Sequence, residues 1–358
     1  MVEDLYTRMA RLSYRETIPM GIMVEFTYRC NQTCRHCYVR GMDASRELHA
    51  ERLADVVAEA ADEGTMFVAV SGGEFTLRPD WRVLTDRVKS LKLGLRLFTN
   101  LTHVDEETAD YIADLGPVFV ETTMFSGDPM VHDYFVRLPG AFERTTRAIK
   151  MLRERDVLVQ VKHEVTEPTW PTFDTLEELV NDLGAVFSHT IYIGPNLVGL
   201  PDPWEVRPSD ETVRAYFEKL YDGAEKPKGK VDNDICEDEV AERRRMGRVV
   251  TCMSGRNGAV IGPDGTVYAC ALLRIPFGNV AEKPFGEVWR SEAAAEFRDY
   301  ENQRAPECEN CEYDAICKRC PGYSLLEDGG INKPSAEHCR IARIESEVIE
   351  KLTGVKVG

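Results

Sequence analysis

The chain has 358 residues, 43% hydrophobic and 29% charged, the balance of a globular protein with room for two domains or one large α/β domain and an appendage. Its 61 acidic residues outnumber 44 basic ones, a formal charge of −17, which argues against a nucleic-acid binder and against docking on an anionic membrane. No apolar run approaches the roughly 20 residues of a membrane span. Residues 1–20 carry Glu3, Asp4, Arg8, Arg11, Arg15 and Glu16 where a secretory signal would be apolar, so a cytoplasmic protein is expected.

Residues 1–20 read as a short amphipathic helix ended by Pro19. A β–α alternation follows. Gly21–Phe26 reads as a buried strand, Glu47–Glu63 as a helix stopped by Gly64, and Met66–Val70 as the next strand, running into Ser71-Gly72-Gly73-Glu74. Trp81–Leu91 reads as helix, Leu95–Thr99 as strand, Glu106–Leu115 as helix ended by Gly116-Pro117, and Val118–Met124 as strand. Phe142–Arg155 and Phe173–Leu183 read as helices, Val157–Val165 and Thr190–Ile193 as strands. Six strands alternating with five helices imply a parallel sheet with helices on its outer face. The expected fold is a partial (β/α)6 barrel with its chemistry in the loops after the strands.

Leu197–Pro208 is rich in Pro and Gly and reads as the exit from that barrel. Asp210–Tyr221 reads as a helix and Gly223–Asp234 as a polar linker. Ala259–Ala269 reads as a β-hairpin turning at Asp264-Gly265, and Ala336–Leu352 as a terminal helix. The expected organisation is an N-terminal helix (1–20), the barrel (21–209), a helix and linker (210–251), a small cysteine-rich α+β domain with the hairpin (252–339) and a C-terminal helix (340–358).

Eleven cysteines need an account, and thiols stay reduced in the cytosol, so metal binding is favoured over disulfides. Cys30, Cys34 and Cys37 form a CxxxCxxC triplet directly after the first strand. Three thiolates on one loop suit three irons of a cubane [4Fe–4S] cluster and leave the fourth iron open. A structural zinc site would want a fourth ligand and more often uses CxxC pairs.

The triplet, within Cys30-Asn31-Gln32-Thr33-Cys34-Arg35-His36-Cys37-Tyr38, resembles that of the radical S-adenosylmethionine (SAM) superfamily, a likeness that extends over Gly21–Gly194. The resemblance implies that the open iron chelates the methionyl amine and carboxylate of SAM. Electron transfer from the reduced cluster then yields a 5′-deoxyadenosyl radical that abstracts hydrogen from substrate. It further implies that Gly72, Gly73 and Glu74 match a GGE motif that binds the SAM amino group. Thr99-Asn100 matches a strand-end TN. Thr123 falls near a ribose contact and Arg137 near an arginine of the SAM pocket, with Lys162 a weaker candidate. The bland alternatives are a tight turn, strand-end polar groups and a solvated arginine.

The tail runs Cys252-x12-Gly265-x4-Cys270, then Cys308-x2-Cys311-x5-Cys317-x2-Cys320, then Cys339. This pattern resembles the SPASM domain of peptide-modifying radical SAM proteins, which implies two auxiliary [4Fe–4S] clusters. By position Cys308, Cys311, Cys317 and Cys339 complete one, and Cys252, Cys270 and Cys320 leave one iron of the other without a cysteine. The consensus has one residue more between Cys317 and Cys320, and an extra cysteine between the first two in fully ligated relatives. Cys236 sits among Glu237, Asp238 and Glu239 and reads as surface linker. A zinc ribbon is the competing reading of the two CxxC pairs.

Such tails imply a peptide or protein substrate and a maturase of ribosomally made peptides, with an external electron donor of the flavodoxin or ferredoxin type. About 20 residues precede the first strand, so a separate leader-peptide-binding protein is expected. The alternative is a dehydrogenase, decarboxylase or haem-pathway enzyme acting on a small molecule. A non-enzymatic iron–sulfur or zinc scaffold would not need the GGE turn. Glu121, Tyr192 and Tyr323 lie near the expected pocket mouth, and no catalytic acid or base is singled out.

Overall fold

The computed structural model describes residues 5–222, 252, 254–300, 305–354 and 356. Helix α1 (Leu5–Glu16) precedes strand β1 (Gly21–Thr27). Then follow α2 (Ala50–Asp62), β2 (Phe67–Gly72), α3 (Trp81–Ser90), β3 (Gly94–Phe98), α4 (Glu106–Leu115) and β4 (Phe119–Thr123). Helices α5 (Pro129–Val136) and α6 (Ala141–Arg153) lead to β5 (Val159–Glu164), α7 (Phe173–Asp182) and β6 (Val186–Thr190). Strands β1 to β6 pair in parallel in chain order.

Burial alternates along β3 and β5 and through the first four residues of β1 and β2, as a two-residue period demands. Ile22, Val24, Val68, Val70 and Leu97 are buried on the outer face, where Leu53, Val56 and Val57 of α2 and Leu84 and Val88 of α3 join them in one core. The inner face carries Met23, Ala69, Arg96, Phe119 and Gln160, which line a single cavity of about 680 Å³. Five neighbouring strands can share one cavity only if the sheet curls around it.

The sixth strand corrects the sequence reading, which placed it at Thr190–Ile193. It runs from Val186 to Thr190, paired with β5 from Gln160 to Glu164. Gly184 turns the chain at φ 64° straight into it. Ile191 and Ile193, each 1% exposed, supplied a strand-like signal but are loop residues buried in two different clusters.

Beyond β6 come a helical turn, α8 (Asp202–Glu205), and helix α9 (Asp210–Tyr221). The expected linker Gly223–Asp234 and Cys236 lie outside the described residues. The expected hairpin forms as β7 (Gly258–Ile261) and β8 (Thr266–Tyr268), and a third strand, β9 (Pro276–Asn279), pairs antiparallel with β8. This unit does not stand apart from the barrel. Strand β7 pairs in parallel with β1, so one nine-stranded sheet runs β6-β5-β4-β3-β2-β1-β7-β8-β9. Short helices α10 (Phe285–Trp289), α11 (Glu292–Tyr300) and α12 (Pro321–Asp328) follow, then α13 (Ala336–Thr353), which packs along α9. Among the described residues no helix is long and apolar enough to cross a membrane.

Candidate active site

The triple-cysteine loop leaves β1 at Thr27 and is fastened from three sides. The side-chain amide of buried Asn196 donates to the carbonyls of Cys37 (3.0 Å), Tyr38 (3.3 Å) and Arg40 (2.8 Å). The N–H groups of Thr33 and Arg35 donate to the carbonyls of Val136 and Phe135, at the end of α5. His36 packs against Phe125, ring centres 4.6 Å apart. Helix α5 was absent from the sequence reading, although Asp128-Pro129 is a start signal. The Asp128 carboxylate caps the N–H groups of Met130 and Val131, and Pro129 occupies the first turn.

All three thiols of the loop are free. Burial pushes all three up, Cys30 to about 11, and neighbouring thiols add to the rise at Cys34 and Cys30. Protein alone thus holds them neutral, and a bound cationic centre reverses that preference. Among the described residues no three His, Cys, Asp or Glu side chains converge as a single metal ion requires. A tetrahedral zinc would draw its sulfurs to about 3.8 Å. A multi-iron cluster binds each thiolate to a different iron and needs no such approach. The donor set fits such a cluster.

The GGE turn lies directly beneath the loop. The Gly73 N–H donates to the Thr27 carbonyl (2.6 Å) and the Glu74 N–H to that of Arg29 (2.8 Å). A Cβ on Gly72, whose φ is 122°, would stand 2.2 Å from the Thr27 carbonyl oxygen, and one on Gly73 equally close to that of Arg29. Only glycine permits this approach. Glu74 is fully buried. Its Oε1 accepts from the Thr76 N–H (3.3 Å) and from the hydroxyls of Thr76 (2.7 Å) and Thr99 (2.8 Å), and its Oε2 accepts from the Asn100 N–H (2.7 Å). Burial raises its pKa against these bonds. One acceptor position of Oε2 remains open. Asn100 completes the link: its side-chain amide lies 3.8 Å from the Cys30 sulfur and donates to the Asn31 Oδ1 (2.8 Å).

Of the other sequence candidates, Thr123 ends β4 in register with Lys162 of β5. Arg137 caps α5 at φ 57°. Its guanidinium reaches the Thr33 carbonyl (3.4 Å) and pairs with Asp202, which Arg40 grips from the other side. Those two arginines hold the Asp202 carboxyl down at about 2. Arg137 is thereby placed against the backbone of the cysteine loop. Asp202, in the segment read as a domain exit, and Asn196, the residue before that segment, are neighbours of the cysteine loop that the sequence reading did not single out.

The lumen wall holds two further charged groups. Glu25, fully buried, receives Arg274 through two bonds of 2.6 and 2.7 Å and the hydroxyls of Tyr28 (3.0 Å) and Tyr38 (3.1 Å). Arg274 lies between β8 and β9, four residues after Cys270, and ties that loop to β1. Glu121, 1% exposed, is flanked by Arg96 (2.6 Å) and Lys162.

Two neighbourhoods stand out among the tail cysteines, Cys317 with Cys339, Cys308 and Cys311, and Cys320 with Cys270. Cys317 feels the charges of Cys339, Cys308 and Cys311, and burial pushes it up to about 12. Cys320 is raised first by burial and then by Cys270. Cys252 touches the Ser254 hydroxyl at 2.8 Å. Next to Cys339 in the chain, the His338 ring stacks on Tyr192 (4.7 Å) and meets Tyr323 edge-on (4.6 Å).

A glycine-built turn is thus locked onto a loop of three free thiols where β1 and β2 end in the curled parallel sheet. The model of the Radical SAM superfamily matches residues 24–183, and that of the SPASM iron–sulfur cluster-binding domain matches residues 252–321. The chain belongs to the radical SAM superfamily and carries a C-terminal SPASM domain; it is an enzyme that binds SAM and iron–sulfur clusters. It is 27% identical to an AdoMet-dependent heme synthase of Methanosarcina barkeri, over 87% of this chain and 93% of that enzyme. It is also 27% identical to the mycofactocin maturase MftC of Mycolicibacterium smegmatis, over 84% of this chain and 77% of the maturase. Streptococcus suis SuiB, solved bound to S-adenosylmethionine, shares the fold with a TM-score of 0.69 at 14% identity, covering 93% of this chain and 80% of SuiB.

Proposed function

We propose that Cys30, Cys34 and Cys37 hold the SAM-binding [4Fe–4S] cluster and that the enzyme takes a hydrogen atom from a substrate in the barrel lumen. The observation that carries this is the bonded run from Cys30 through Asn100 to Glu74. When bound, the reduced cluster and SAM supply a 5′-deoxyadenosyl radical. Gly72 and Gly73 bring the turn against the cysteine loop, and Glu74 offers its open Oε2 position to the methionyl ammonium. Asn100 orients Cys30, Thr123 faces the ribose side, and Arg137 props the loop through Thr33. Cys308, Cys311, Cys317 and Cys339 would hold one auxiliary [4Fe–4S] cluster. Cys252, Cys270 and Cys320 would hold a second, with one iron left to another ligand; the closeness of Cys317 to Cys339, Cys308 and Cys311 and of Cys320 to Cys270 supports this.

In our first reading the substrate is a peptide or protein, supported by the match to the mycofactocin maturases. An external flavodoxin- or ferredoxin-type donor and a separate leader-binding protein would serve it in the cytoplasm. The second reading, a dehydrogenase, decarboxylase or haem-pathway enzyme acting on a small molecule, is favoured by the match that spans 93% of a heme synthase. Anaerobically reconstituted protein with dithionite and SAM should release 5′-deoxyadenosine, and the Cys30/Cys34/Cys37→Ala variant should not. Cleavage persisting in that variant overturns the assignment. Mass spectrometry after incubation with a precursor peptide encoded beside the gene, or with Fe-coproporphyrin III, then decides between the substrates.

A further inference from the structure

Arg96, Glu121 and Lys162 form a cluster that the SAM site does not use. All three face the lumen, from β3, β4 and β5 respectively. Glu121 is buried at 1% exposure, while the side chains of Arg96 and Lys162 keep 42% and 31% of theirs. Arg96 binds the Glu121 Oε1 through Nε (2.6 Å) and Nη2 (2.5 Å), and Lys162 pairs with the other oxygen. Both cations also lie over the Phe98 ring, Lys162 at 4.2 Å and Arg96 at 5.5 Å. Two cations share one carboxylate, which leaves one unit of positive charge in excess. The other strong pair on the wall, Glu25 with Arg274, is closed on itself.

The excess sits beside the 680 Å³ cavity. Arg96 and Gln160 are among its few polar linings, set among Met23, Phe67 and Phe119, and Lys162 stands two residues beyond Gln160 on the same face of β5. An apolar cavity with a small convergent polar group is the usual form of a small-ligand site. In a chain of net charge −17 an anionic ligand would otherwise be repelled, so a local cationic seat is what admits it.

We propose that Arg96 and Lys162 seat a carboxylate of the substrate, with Glu121 as the internal carboxylate that orders the two cations and competes for them. The proposal rests on the radical SAM reading above. A peptide carboxylate and a propionate of a tetrapyrrole present the same chemistry to this seat.

The test uses two probes on reconstituted holoenzyme. One is coproporphyrin III, followed by its fluorescence, against its methyl ester. The other is a pool of N-acetylated hexapeptides with free C-termini, against the same pool amidated. The free acid of at least one probe should bind more tightly than its blocked form, and which probe does so identifies the source. Lys162→Met and Arg96→Met should each weaken that binding roughly ten- to a hundred-fold, the range of a charge-assisted contact. Glu121→Gln should tighten it, since the competitor is gone; a merely structural role for Glu121 predicts no gain. Equal binding of acid and blocked forms, no binding of either probe, or unchanged affinity in all three variants overturns the proposal. So does a Lys162→Met variant that loses SAM affinity while its probe affinity holds, which would move Lys162 to the SAM site. Failure of the wild type to release 5′-deoxyadenosine would instead sink the reading on which the proposal rests.

Discussion

Replacing Glu74 with alanine should damage the protein twice, and the two losses can be measured separately. Its carboxylate accepts from two hydroxyls and two backbone N–H groups at 2.7–3.3 Å, with no exposure to water. The hydroxyls of Thr76 and Thr99 can rotate toward other acceptors, but the N–H groups of Thr76 and Asn100 cannot. Each buried orphan donor costs about 1–3 kcal/mol, so Glu74→Ala should lose about 2–6 kcal/mol of stability. That is a large share of the 5–15 kcal/mol typical of a folded domain. Removal of the carboxylate should also cost roughly 1.5–3 kcal/mol of SAM binding, a ten- to hundred-fold drop.

Glu74→Gln separates the terms. Its carbonyl oxygen can still accept from Thr76 and Thr99, while its amide nitrogen faces the Asn100 N–H as a second donor. The stability loss should shrink to about 1–3 kcal/mol, whereas the loss of SAM affinity should match that of alanine, because the negative charge is gone in both. Urea unfolding of the apo protein reads the first quantity and equilibrium dialysis of SAM on reconstituted enzyme the second. Unchanged stability in Glu74→Ala refutes the buried network. Unchanged SAM affinity in both variants reduces the GGE turn to a structural brace.

Gly73→Ala forces a Cβ to within 2.2 Å of the Arg29 carbonyl oxygen, so the cysteine loop must shift; iron content after reconstitution should fall by about four per chain, and full loading would refute the claimed contact. Arg274→Met leaves Glu25 buried without its cation and should cost about 3–5 kcal/mol in urea unfolding, with Glu25→Gln added to it restoring much of the loss. Burial lowers His132 and His163 to about 4 in the folded state against 6.5 unfolded. The unfolded chain therefore binds more protons between those values, and stability should fall as pH drops from 6.5 toward 4, by at most about 2.7 kcal/mol per pH unit for two protons; a pH-independent urea midpoint across that window contradicts it. Wild type should carry about twelve irons and the Cys30/Cys34/Cys37→Ala variant about eight, at four per cubane. A zinc-holding tail would leave that variant almost free of iron.

The barrel was legible because its signals are local. The helix Glu106–Leu115 begins at Asp105, which caps the Thr108 N–H, and ends at Gly116 in the left-handed conformation, as its sequence announces. The cysteine triplet and the GGE turn are likewise contiguous, and their places after β1 and β2 follow from strand periodicity. The misreadings share a physical cause. Ile191 and Ile193 are apolar because two separate clusters need them, and a period-two pattern cannot distinguish that from a strand. Helix α5 spans only eight residues, too short to show a period, so its cap was its one strong signal. For Arg137 the resemblance gives a place near the SAM pocket but no partner. Its partner Asp202 lies 65 residues away in a segment whose composition reads as loop.

The largest thing hidden from the sequence was the pairing of β7 with β1, more than two hundred residues apart. A hairpin announces its own turn but not the strand beside which it will lie. That pairing changes how the protein works as a body. Gly21–Val24 of β1 is bonded to β2 on one side and to Gly258–Ile261 on the other, so the strand that launches the triple-cysteine loop also carries the cysteine-rich region. Arg274 reinforces the joint by crossing from the Cys270 loop to Glu25, two residues before Thr27, where the triple-cysteine loop leaves β1. Trp289 of α10 donates to the Thr17 carbonyl just after α1, closing a further contact between the tail and the start of the chain. A domain tethered by a linker could be cut away and leave the barrel intact. Here removal of residues 252–358 would strip β1 of its neighbour, expose Glu25, and leave Met23 and Ile22 without the strand that walls their cavity. The barrel and the cysteine-rich tail should therefore unfold in one transition, and the distance between the two thiol sites is fixed by a sheet rather than by a hinge.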